Sequence, residues 1–291
     1  MKASAHNKNI REPAVAGQFY SADAKELQDE VDAYINNAKI PELSGQLIAL
    51  VSPHAGYVYS GHVAGYAYKT LIGKKFDTAI LVGLSHRYPI SGAVVCDTGV
   101  FMTPLGNAEV DSELAESILK NNGIISVNSA AHKSEHSLEV QLPFLQRVAK
   151  EAKIVPILLN NSDTETCDQV AEAIATAIRK IKKSVILIAS TDLTHYPAYR
   201  YAVEVDKEAI AAMLALDVDK LDTVTDKWMN KGIPNLHCVV CSEAAVKVVI
   251  QTSKKLGANQ AKLLKYANSG EVSVGDKSQV VGYAAIAITK I

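Results

Sequence analysis

The sequence predicts an α/β fold, a mostly parallel central sheet covered by helices on both faces, on the strength of two observations. Short continuous apolar runs rich in Val and Ile recur along the chain at Leu47–Val51, Thr78–Gly83 and Ser184–Ala189, with Lys153–Leu159 as a fourth. Runs of that length, bounded by turn residues, mark strands buried on both faces, as parallel strands are when helices cover the sheet. The second observation lies between them. Gly61–Leu71, Asp111–Asn121 with Gly123 behind it, Ser137–Ala152 and Asp163–Lys182 carry apolar residues at the three- and four-residue spacing of helices. Strand and helix therefore alternate, which argues βαβ units.

The remaining elements are less regular. Ala93–Val95 and Phe101–Thr103 read as a hairpin or strand pair, and Tyr199–Gly257 as mostly helical, before Lys262–Asn268 and Val280–Ile288 return to strand-like sequence that extends the sheet. Pro143, inside the helical segment Ser137–Ala152, predicts either a kink or the true helix start. No internal repeat, low-complexity tract or linker divides the chain, so residues 1–291 are read as a single domain.

Composition narrows the function classes. Apolar residues make up 48% and charged residues 21%, a balance that excludes a disordered chain. Thirty basic against 31 acidic residues give a formal charge of −1 without a basic cluster, so nucleic acid is not an expected partner. The first twenty residues form neither a signal-peptide core nor a transit segment, and no window approaches the roughly 18 consecutive apolar residues of a membrane span. A soluble, cytoplasmic protein is expected. Four cysteines in so long a chain are not a disulfide scaffold and are expected as thiols.

In an open parallel sheet, ligands bind beyond the carboxyl ends of the strands. Just past the three clearest strands stand His54, His86, and the pair Asp192 and His195. Each histidine alone reads as an ordinary polar loop residue. With only eight histidines in the chain, three within six residues of three strand ends form a pattern, and histidine is both the commonest metal ligand and the usual acid or base near neutral pH.

Cys238 and Cys241 precede an apolar helical run ending near Ile250. Val239 and Val240 between them argue against a thioredoxin-type redox pair, and a structural zinc would need a second pair at ligand spacing. The two cysteines read equally as small core residues or as a source of one thiolate favoured by a helix N-terminus. His132–Glu139 reads as capping chemistry for the helix behind it, or as a segment that sends Glu135 and His136 into the strand-end cleft as acid, base or positioning groups. The glycine-rich Pro53–Gly61 lacks both a Gly-Lys-Ser/Thr ending and a Gly-x-Gly-x-x-Gly pattern, so nucleotide binding is weakly supported.

Five ordered motifs together resemble the Memo family, whose prokaryotic members are called AmmeMemoRadiSam system protein B. They are Glu12–Tyr20, Pro53–Gly61, Gly83–His86, Glu135–Pro143 and Ser190–Tyr196. The family is similar in fold to the class III extradiol ring-cleaving dioxygenases, where two histidines and a carboxylate hold a non-haem ferrous ion. The resemblance implies an extradiol-dioxygenase-like fold, metal ligands His54, His86 and Cys241, and His195 and Asp192 in the same pocket. A thiolate in place of the carboxylate admits Cu or Zn beside Fe(II). Two functions follow as expectations. One is a non-haem iron oxidoreductase acting on a small aromatic substrate, with His195, Asp192 and His136 as catalytic groups. The other is a non-catalytic metal- or peptide-binding adaptor, partnered with other proteins of the AmmeMemoRadiSam system.

Overall fold

The computed structural model describes residues 9–120 and 123–291. After the short β1 (Ile10–Arg11) comes α1 (Ala24–Asn37), a helix the sequence reading passed over; Asp23 caps it by accepting from the amides of Lys25 and Glu26. Then follow β2 (Gln46–Ser52), α2 (Tyr57–Lys69), β3 (Thr78–Gly83), β4 (Ala93–Val95), β5 (Val100–Thr103), β6 (Gly106–Glu109), α3 (Ser112–Leu119), β7 (Ile125–Val127) and α4 (Ser129–His132). A 3-10 turn at Glu139–Gln141 leads into α5 (Leu142–Val148), and β8 (Lys153–Leu159), α6 (Thr164–Lys180), β9 (Val185–Ser190), α7 (Tyr199–Leu214), α8 (Val218–Met229), α9 (Glu243–Lys255), β10 (Gln260–Asn268) and β11 (Gly282–Lys290) complete the order.

The main sheet runs β10-β11-β2-β9-β3-β8-β4-β7. Its centre, β2-β9-β3-β8, is parallel, while β11 joins β2, β10 joins β11, and β4 joins β8 in antiparallel fashion. The architecture is thus α/β with a parallel middle and mixed flanks. Period-two alternation explains the unbroken apolar runs. Ile80 and Val82 of β3 pack into one core layer beneath α6 and α9, and Ala79 and Leu81 into the other beneath α2 and α5. Leu81 is fully buried, so Leu81→Ala is expected to lower unfolding stability by about 2–5 kcal/mol in a denaturant titration.

Three expectations need correction. Ala93–Val95 and Phe101–Thr103 do not pair with each other: β4 lies between β8 and β7, while β5 lies between β1 and β6 in a separate three-stranded sheet. Ser137–Ala152 is not one helix. Pro143, which has no amide hydrogen to donate, stands at the start of α5, and the preceding turn is a 3-10 one. The helix read from Gly61 begins at Tyr57, and Gly65 lets α1 approach it, since a Cβ there would lie 2.4 Å from the Tyr34 carbonyl oxygen. Asn121, read as the end of α3, lies outside the described residues. Among the described residues no helix is long and apolar enough to cross a membrane.

Candidate metal centre

The strand order places β2, β9 and β3 side by side and parallel, so the loops that follow them open at one edge. His54 arrives there two residues past β2. Its amide donates to Asp192 Oδ1 (2.8 Å) and its Nδ1 meets Ser190 Oγ (3.2 Å), which fixes the ring. The side chain is 1% exposed, and Nε2 has no hydrogen-bond partner. Burial, with the neighbouring histidines adding to it, holds this imidazole well below its usual pKa and so neutral. A buried ring nitrogen with nothing to bond to is a costly arrangement that a metal ion would relieve.

His86 follows β3. Glu135 accepts from its amide (2.6 Å) and sits 2.9 Å from its Nδ1, and the same carboxylate accepts from the amides of His136 (2.9 Å) and Ser137 (2.8 Å). Burial alone would raise the Glu135 pKa, but the His86 hydrogen bond and charge, with the amides, bring it down to about 2. With Nδ1 committed to a carboxylate, Nε2 of His86 is the nitrogen left for a ligand, the arrangement seen around metal-bound histidines. His136 stacks on His86 with ring centroids 4.4 Å apart, and Phe19 packs against His136 at 4.8 Å. The ligating atoms of His54, His86 and His136 all lie within 4.8 Å of one another.

Behind this trio Arg11 is buried and ion-paired with Glu139, and donates to the Glu135 and His132 carbonyls. Glu139 also accepts from the amides of Ala14 (2.8 Å) and Val15 (3.0 Å) and from the Tyr20 hydroxyl (2.6 Å). The segment that supplies Phe19 is therefore pinned to the one that supplies Glu135 and His136.

The cysteines enter from a loop stitched to the end of β9. Cys241 donates its amide to the Asp192 carbonyl (3.0 Å), Ser242 to Thr191 Oγ1 (2.9 Å), and His195 and His237 exchange backbone bonds with this pair of loops. Cys241 Sγ lies 3.5 Å from His86 Nε2, and Cys238 Sγ lies 3.4 Å from His195 Nδ1. Two donors about 2.1 and 2.3 Å from one tetrahedral ion would stand about 3.5 Å apart, so the first pair fits a shared metal. Without metal, the Cys241 thiol hydrogen-bonds Cys238 and, against the opposing effect of burial, helps bring Cys238 down to about 5, with His195 assisting. That hydrogen bond and burial push Cys241 up instead. Burial lowers the His195 pKa, but Cys238 and Asp192 outweigh it and raise it to about 9, so this ring is charged at neutral pH.

These groups line a cavity of about 600 Å³. His54, His86, His136, Asp192, His195 and Cys241 all reach it, while Cys238 lines a smaller hollow that it shares with Cys241. The aromatic walls, Phe19, Tyr59, Tyr196 and Tyr283, went unread in the sequence. So did the anchoring role of Glu135, although its place beside His136 was the available signal. Cys96 and Cys167 are buried elsewhere.

Asp206 is fully buried and accepts from the Thr194 amide (3.1 Å) and the Tyr266 hydroxyl (2.8 Å), and among the described residues no cation pairs with it. Burial, only partly offset by those bonds, raises its pKa to about 7. The native state thus keeps a proton that the unfolded chain loses near pH 4, and this contribution to stability is full below pH 4 and falls away as pH rises through 7. Asp206→Asn offers an oxygen to Thr194 and an NH₂ to Tyr266, imitating the protonated acid. The stability loss between pH 4 and 8 in thermal melts should therefore be smaller in the variant by a few kcal/mol; parallel pH profiles would show that Asp206 does not titrate in this range.

The family model described as Memo-like protein matches residues 11–287. The chain belongs to the Memo-like protein family. Among Memo relatives it is 42% identical over 280 residues to a MEMO1 family protein of Methanosarcina barkeri, covering 96% of this chain and 100% of the relative. It is 37% identical over 285 residues to one of Methanopyrus kandleri, covering 95% and 98%. The crystal structure of an uncharacterised protein from Escherichia coli K12 shares the fold at a TM-score of 0.52 and 11% identity, covering 83% of this Memo chain and 99% of that one.

Proposed function

We propose that this Memo protein is a metal-dependent oxidoreductase that acts on a small aromatic substrate in the 600 Å³ cavity. The observation that carries the reading is the partnerless, buried Nε2 of His54 within a cluster of three imidazoles. His54, His86 and Cys241 would hold a divalent ion, Fe(II) first and Cu or Zn as alternatives, with His136 at ligand distance as a further nitrogen donor. When bound, a ferrous ion would supply a redox-active Lewis acid at which a catechol could give up the electrons that reduce dioxygen.

The protein's own groups supply the rest. Glu135 orients His86 and fixes its tautomer. Phe19, Tyr59 and Tyr283 give an aromatic ring flat surfaces to lie against and exclude water. His195, charged in the resting protein, can donate a proton to a developing anion and take one from a phenol afterwards, while Asp192 stabilises the charged form.

The test is metal analysis of protein purified without oxygen or nickel resin, followed by oxygen uptake with a broad panel of catechols. About one equivalent of iron and uptake with at least one catechol are expected. Metal-free protein that cannot be loaded, or loaded protein that consumes no oxygen with any of them, would overturn the reading.

A further inference from the structure

We propose that the cavity selects an aromatic ligand whose tail carries an ammonium group, and that Asp276 reads this tail; the metal reading above supplies the partner for the ring. The argument starts from the charges of the wall. Asp192 and Asp276 line the cavity, and among the described residues no lysine or arginine does. His195, on the same wall, already has its Nδ1 against the Leu193 carbonyl (3.1 Å) and Cys238 Sγ (3.4 Å). Lys277 follows Asp276 in the chain but turns to the Tyr199 ring, with Nζ 5.0 Å from its centroid.

A carboxylate or phosphate on the ligand tail would therefore meet no lysine or arginine and would face the like charge of Asp276. An ammonium would meet Asp276. That residue is exposed, and its carboxylate accepts from the Ser278 amide (2.8 Å) and hydroxyl (2.6 Å), bonds that hold it in place while leaving further lone pairs free. Tyr196 and Val274, both exposed, stand on the same wall and offer apolar surface to the carbon chain between ring and amine. The opposite end of the ligand meets His54, whose partnerless nitrogen marks the position of the polar ring substituents.

Calorimetric titration of dopamine, catechol, 3,4-dihydroxybenzoate and phenyl phosphate tests this, with the protein both metal-free and loaded with redox-inert Zn(II). Dopamine is expected to bind roughly 10-fold more tightly than dihydroxybenzoate at low salt, the ratio shrinking at about 0.3 M salt as screening grows. Asp276→Asn, which keeps an oxygen for the Ser278 amide, should narrow the ratio to about 3-fold or less. The same ranking in metal-free protein that takes up no Zn(II) would uphold the tail preference while sinking the metal reading. Tightest binding of dihydroxybenzoate or phenyl phosphate to either form would overturn the proposal, as would binding of none of the four, or a preference for dopamine that Asp276→Asn leaves intact.

Discussion

His195→Ala is expected to keep its metal and to lose oxygen uptake with catechols by about 10²- to 10⁴-fold, the usual contribution of a positioned acid or base. Retention follows from geometry. The ligating atoms of His54, His86 and His136 lie within 4.8 Å of one another and Cys241 Sγ lies 3.5 Å from His86 Nε2, so these donors suffice to hold an ion without His195. Loss of activity follows from chemistry, because His195 lines the cavity in its charged form at neutral pH and so has a proton to give. Iron content and oxygen consumption of the same preparation decide the matter. Iron lost together with activity would make His195 a ligand, and full activity would remove it from the reaction.

The second large effect is expected at the ligands. His54→Ala and Cys241→Ala should each lower metal affinity by about 100-fold or more, while shifting the unfolding midpoint far less than Leu81→Ala does. Removing the His54 ring takes away a buried nitrogen that bonds to nothing, so the stability lost with its packing is partly returned. Cys241 is only partly buried. Elemental analysis and denaturant titration of the three variants separate these effects. Normal metal content in both ligand variants would eliminate this site, and Cys241→Ala with full metal beside a depleted His136→Ala would assign the third donor to His136.

Much of this was legible in the sequence because the responsible signals are local. β2, β3, β8 and β9 announce themselves through unbroken apolar runs, and the strand-end rule then leads to His54, His86 and His195 with no knowledge of the fold. β4 and β5 misled because short strands carry no record of their partners. Gly99, with φ of +105°, turns the chain out of the main sheet between them, and β5 finds β1 instead. The pairing of Glu139 with Arg11 spans 128 positions and the contact of His86 with Cys241 spans 155, so neither leaves a trace in any window. His136 was noticed, yet its closeness to His54 and His86 depends on how Glu135 folds back on its own backbone, a matter of three-dimensional hydrogen bonding rather than of pattern.

The place of β11 in the sheet has a consequence for how the protein is made. Residues 282–290 lie between β10 and β2, so a strand synthesised near residue 50 waits for more than two hundred further residues before its antiparallel neighbour exists. Until then the nascent chain offers an unprotected apolar edge, open to pairing with other chains. The same late strand reaches the candidate centre, because Gly282 exchanges backbone bonds with Leu193 and Thr194. Maturation of the pocket is thereby coupled to the synthesis of residues 282–290. A ribosome stalled before residue 282 should display a sticky intermediate with the His195 loop untethered, and chaperone demand should peak there rather than earlier.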